Sequence, residues 1–72
     1  MADRYRLIIT RLRGIREKAI FVDKPAVRGA GEIALARSLI YGPDDIKLAG
    51  AFIGEEIAIR IMDWKAEQEG FA

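Results

Sequence analysis

Two adjacent acid pairs, Asp44-Asp45 and Glu55-Glu56, have the first spacing in this chain that invites a chemical reading. Paired carboxylates serve general acid–base catalysis or hold a divalent cation when both project into one site. Neighbours on a strand point to opposite faces, so neither pair forms a dyad unless a turn folds it together. The pairs therefore read as turn solvation and hairpin charge. With Glu67 and Glu69 they also make an acidic rim of the kind that imitates nucleic acid toward a basic partner.

Nucleophiles are as scarce. Ser38 is the only serine and Thr10 the only threonine, and with no His their activation would fall to one of four lysines, Lys47 for Ser38. Ser38 fits better as a hydrogen-bond partner for backbone where a strand breaks into a turn. The absence of His and Cys removes the thiolate, the Ser-His pair, the disulfide and the usual zinc or haem site. Gly29-Ala30-Gly31 is not followed by the Lys-Ser/Thr of a phosphate loop. The expectation is a protein that is not an enzyme and takes no metal or cofactor.

Binding chemistry is better represented. Arg4, Arg6, Arg11, Arg13 and Arg16, with Lys18 and Tyr5 among them, could track a nucleic-acid backbone, meet an acidic protein surface, or pair with Glu32, Glu55 or Glu56 on adjacent strands. Stacking platforms need several exposed aromatics, whereas Phe21, Phe52, Trp64 and Phe71 read as core, which weighs against nucleic acid. Phe52-Ile53 lies between Gly50 and Gly54, so it either tucks into the core or offers a sticky surface. The candidate partner-binding residues are thus Arg4, Arg6, Arg11, Arg13, Arg16, Phe52 and Ile53.

The formal net charge of +1 hides a polarised chain. Residues 1–28 carry eight basic and three acidic side chains, net +5, and residues 29–72 carry four and eight, net −4. The two segments either neutralise one another as neighbouring strands or form two separate interaction faces.

These side chains need a scaffold, and 72 residues supply one domain, 1–72, with a single core. At this size burial and chain entropy nearly cancel, a shortage that a homo-oligomer or larger partner relieves. Arg4 to Thr10 alternates as a β-branched-rich strand, with a bulge or bend expected near Arg11 to Gly14. The competing pattern sets Tyr5, Ile8, Ile9, Leu12 and Ile15 at helical spacing behind Asp3, but Gly14 and the β-branched residues disfavour it. Lys18–Val22 reads as a strand stopped by Pro25. Glu32–Arg37 is a strand with Ile33 and Leu35 on one face. Gly42-Pro43-Asp44-Asp45 reads as a turn, and Asp45–Leu48 as a minimal strand. Glu55–Met62, with Ile57, Ile59 and Ile61 inward, is the cleanest alternation. Asp63 reads as the N-cap of a short helix, Trp64–Glu69, closed by Gly70, with Trp64 and Phe71 folded over an open end of the sheet.

The fold class is therefore mainly β (α+β), a small bent antiparallel sheet or partly open barrel of about five strands with a short C-terminal helix. No run approaches the roughly 20 apolar residues of a membrane span, and Met1-Ala2-Asp3-Arg4 does not open a signal peptide, so a cytoplasmic protein is expected.

Three stretches carry a resemblance: Glu17-Lys18-Ala19-Ile20-Phe21-Val22, then Glu32-Ile33-Ala34-Leu35-Ala36-Arg37-Ser38-Leu39-Ile40, then Ile59 to Phe71. Their order resembles small phage and mobile-element accessory proteins, which have a Trp-Ile-Pro-Lys-Ser-type strand and close on a Pro-Glu-Trp-Leu-type short helix. Trp64, Ala66, Gly70 and the Arg37-Ser38 pair fall on that pattern, whereas Ala34 and Ala36 stand where it has an aromatic and a proline. The resemblance implies a mobile-element accessory protein of mostly unassigned function; the residue inventory and the small, polarised chain lead to the expectation of a binding module acting on a host or phage protein, an anti-CRISPR-like inhibitor of a host defence complex being one form. A nucleic-acid binder using the basic strand is the alternative.

Overall fold

A computed structural model describes residues 4–71. Four strands, β1 (Tyr5–Ile15), β2 (Ala19–Asp23), β3 (Glu32–Ala36) and β4 (Glu56–Met62), form one antiparallel sheet in the order β3-β2-β1-β4. Two short helices, α1 (Gly42–Lys47) and α2 (Asp63–Glu69), flank β4 in the chain.

The long central strand organises the sheet. Residues 5–11 of β1 pair with β4, from Tyr5↔Met62 to Arg11↔Glu56, and its second half pairs with β2 on the opposite edge. Between them lies the expected irregularity: Leu12 opposes Val22 and Gly14 opposes Phe21, leaving Arg13 as an extra residue. Gly14 lies at that bend against the Phe21 ring, where a Cβ would stand 3.4 Å from Cδ2. Helical spacing in this segment therefore loses to strand pairing.

Alternation sorts the core as β-periodicity demands. Ile8 and Leu12 of β1, Ile20 and Val22 of β2, Leu35 of β3 and Ile57, Ile59 and Ile61 of β4 are buried on one face, joined by Ile40, Leu48, Ala66 and Phe71. Beyond β3 the chain takes a 3-10 turn, Arg37–Leu39, then forms an isolated bridge Ile40↔Ile61 and a bond from Tyr41 N–H to the Arg60 carbonyl. The sheet curls toward the far edge of β4 without closing.

Two expectations are corrected. Asp45–Leu48 is not a fifth strand: Gly42–Lys47 is helical, with Pro43 near its start and Asp44 and Asp45 in its first turn, where a fixed φ and negative charge suit the helix dipole. Asp63 does not cap α2; it is the first helical residue and makes no capping bond. Its carboxylate pairs instead with Arg6, 2.7 Å away, while Arg6 also donates to the Phe71 carbonyl at 3.1 Å. One guanidinium thus ties both ends of α2 to β1. Gly70 closes the helix as expected, at φ 88°.

Candidate interaction surfaces

The five arginines do not form one track. Arg6 lies on the inner side with Ile8 and Thr10, and its charge is matched by Asp63. Arg11 and Arg13 face outward. Arg13 holds Asp23 through two bonds, Nε to Oδ1 at 2.7 Å and Nη2 to Oδ2 at 3.0 Å. That fork keeps the Asp23 carboxyl below the usual carboxylate range against an opposing desolvation cost, and raises the Arg13 guanidinium in turn. Arg16 sits at the β1–β2 hairpin, where its carbonyl accepts a bond from Arg37. Arg4 is exposed.

Nor do the charged halves of the chain neutralise one another strand by strand. Among the described residues, only Arg6–Asp63 joins the +5 segment to the −4 segment. The other ion pairs, Arg13–Asp23, Arg37–Asp45, Arg60–Asp44 and Lys65–Glu69, stay within one segment. Glu32, Glu55 and Glu56, the expected partners of the arginines, take no part in these pairs.

Arg11 does join the Phe52-Ile53 loop. It donates to the Gly54 carbonyl at 2.7 Å, and Gly54 N–H in turn bonds the Leu12 carbonyl. Glu55 accepts from Phe52 N–H through its carboxylate at 3.1 Å and donates its own N–H to the Phe52 carbonyl. The loop backbone is thus tied at four points while its side chains face out, Phe52 at 71% exposure and Ile53 at 58%. Phe52 is therefore a surface residue, not core. Trp64 is corrected the same way: it is 55% exposed, whereas Phe71 is buried.

Asp44, Asp45 and Glu55 are bonded within the fold, and Asp44 is buried rather than solvating a turn, while Glu56 is exposed. Asp44, at 5% exposure, accepts from Arg60 N–H, Nε and Nη2 at 2.8, 2.9 and 3.0 Å. Asp45 holds Arg37. Hydrogen bonding by Arg60 holds the Asp44 carboxyl below its ordinary range despite desolvation, which makes it a poor proton carrier near neutrality. No cluster of three potential metal ligands occurs among the described residues. Ser38 lies in the 3-10 turn after β3.

Two features were not anticipated. Arg60 lies over the Tyr41 ring at 4.2 Å, and Tyr41 meets Tyr5 edge-on with centroids 5.2 Å apart, an aromatic cluster across β1 and β4. Leu7 and Ile9 face outward at 59% and 63% exposure. The sequence signal for the second was present, since Leu7-Ile8-Ile9 leaves apolar residues on both faces of one strand.

No helix among the described residues is long and apolar enough to cross a membrane. Comparison with known proteins found no matching family model, no matching curated protein and no matching solved structure.

Proposed function

We propose that this chain is a non-enzymatic binding module that acts through protein–protein contact, with Phe52, Ile53 and Arg11 as its contact surface. The carrying observation is the pair of large apolar side chains held out to solvent on a backbone fixed by four hydrogen bonds. A loop that is already ordered loses little conformational entropy on binding, and a buried aromatic beside an arginine is the usual composition of an interface hot spot.

The resemblance of residues 17–22, 32–40 and 59–71 to phage accessory proteins supplies the setting, with a host or phage protein as partner and inhibition of a host defence complex, anti-CRISPR-like, as the form to test first. Nucleic acid is the weaker reading. Arg6 and Arg13 are matched by Asp63 and Asp23, and Arg6 points to the other side of β1 from Arg11 and Arg13.

The test is capture of a partner from host lysate by the wild-type chain and by a Phe52→Ser, Ile53→Ser double variant, with identification by mass spectrometry. Specific capture by the wild type and its loss in the variant support the reading. Equal capture by both would remove the loop as the contact surface. Binding to a single-stranded oligonucleotide whose log affinity falls with log salt by several units would favour nucleic acid instead.

A further inference from the structure

The opposite edge of β1 holds a second surface. The Arg4 carbonyl accepts from Asp63 N–H, and Leu12 both donates to Glu55 and accepts from Gly54, so even-numbered residues of this strand turn their amides toward β4. Tyr5, Leu7 and Ile9 then turn theirs to the other edge, where pairing with β2 begins only at Leu12. Their N–H and C=O groups thus face an edge that no strand of the sheet pairs. A groove of about 570 Å³ runs beside this edge, lined by Leu7, Ile9, Lys24, Pro25, Val27 and Phe71 among others.

We propose that the edge from Tyr5 to Ile9 takes an extended, acid-flanked apolar segment of a partner protein as an added strand. The inference rests on the protein-binding reading and names a second contact and its chemistry. Unpaired strand amides are a template for another chain, and pairing along the backbone supplies affinity with little demand on sequence. The occupant is a single strand, because the groove has walls on both long sides, β1 on one and Lys24–Val27 on the other. A second copy of this chain offering its own β1 would bring β4 with it, on the strand edge that meets the Lys24–Val27 wall. Alternate side chains of the occupant lie over Leu7 and Ile9 and beside Val27, which is 83% exposed. Charge marks one flank: Lys24 lines the groove outside the ion pairs of the described residues, whereas Asp23 is matched by Arg13, and Arg11 and Glu56 stand opposite one another.

The probe is a capped heptapeptide of alternating Val and Thr with Asp at both ends, mixed with the full chain and read by amide hydrogen exchange. In the free protein, Leu7 and Ile9 amides should exchange much faster than those of Ile8 and Thr10. The peptide should slow Leu7 and Ile9 by about tenfold or more. N-methylation of its alternate residues should abolish the effect, and Lys in place of Asp should weaken binding about threefold, a preference that Lys24→Glu should reverse. No slowing at Leu7 and Ile9 with millimolar peptide overturns the proposal. So does protection of both amides without peptide that grows with protein concentration, which would assign the edge to self-association. If the peptide fails while Phe52-dependent capture persists, only the added strand is lost; if both fail, the protein-binding reading falls with it.

Discussion

Asp44 and Arg60 are joined by three hydrogen bonds: one nearly buried carboxylate receives the backbone N–H and two guanidinium N–H groups of the same residue. The junction locks α1 against β4 on the edge that β1 does not cover. Arg60 reaches it while stacked on Tyr41, so the ring, the guanidinium and the carboxylate form one unit. Asp44→Ala leaves the Arg60 N–H without its acceptor and should cost about 2 kcal/mol, a fall in Tm on the order of 10 °C by thermal denaturation.

The same junction predicts a pH dependence. Both Asp44 and Asp23 are held below the ordinary carboxylate range, each chiefly by hydrogen bonds from an arginine. A group whose pKa falls on folding contributes stability that is complete above its unfolded pKa, about 4, and disappears as pH drops through the folded value. Unfolding followed from pH 7 down to pH 2 should show a stability plateau and then a decline below about pH 4. Asp44→Asn should flatten that decline as well as lower the plateau. An acid limb of unchanged steepness in the variant would show that Asp44 does not carry it.

Trp64 provides a direct check on the surface, because it is the only tryptophan. At 55% exposure its emission should be red-shifted and readily quenched by acrylamide in the folded protein. Trp64→Ala should change stability by no more than about 1 kcal/mol, far less than the roughly 3 kcal/mol or more expected of a buried tryptophan. A blue-shifted, protected emission would place the ring in a core.

What the sequence made legible follows from period and burial. The strand Glu55–Met62 needed no tertiary information, and the bulge lies within the expected Arg11 to Gly14. The inner face of β1 was not legible: Ile8, Thr10 and Leu12 are buried in unbroken alternation while Tyr5, Leu7 and Ile9 face outward, and the irregularity comes only after Leu12. The helix α1 did not show itself because six residues are too few to display a 3.6-residue period, and Gly-Pro-Asp-Asp suits a turn and a helix start equally well. Trp64 was misplaced by extending helical spacing through Gly70, whose left-handed φ ends the helix before Phe71 and sends that residue to the core alone. The arginines are the clearest case. Their number is visible in the sequence, but that Asp63 and Asp23 match two of them depends on contacts that only the folded chain makes.

The Phe52-Ile53 loop separates binding from stability. Neither side chain belongs to the buried core, so Phe52→Ser with Ile53→Ser should leave the unfolding free energy within about 0.5 kcal/mol of wild type. Arg11→Ala removes the bond to the Gly54 carbonyl and loosens the loop, so it should weaken partner binding while the core stays intact. By contrast, Leu12→Ala empties a site of 0% exposure beside the same loop and should cost about 3 kcal/mol. Equilibrium denaturation of all three chains, set beside partner capture, distinguishes a contact surface from a structural loop.

Gly70 tests how α2 is held. Its φ of 88° lies in the left-handed region, and a Cβ there would stand 3.0 Å from Arg28 Cγ and 3.1 Å from Arg28 Cδ. Gly70→Ala therefore meets a conformational penalty and a steric one, although Arg28 is a long side chain able to swing away. The loss should be about 1–2 kcal/mol. Gly42→Ala is the matched control: a Cβ at Gly42 meets nothing within 4 Å and its φ is not left-handed, so the change should be within about 0.5 kcal/mol. Because Arg6 grips Asp63 at one end of α2 and Phe71 at the other, Gly70→Ala should also shift the amide resonances of Arg6 and Phe71. A variant as stable as wild type with those resonances unmoved would mean that α2 does not need its left-handed terminus to dock.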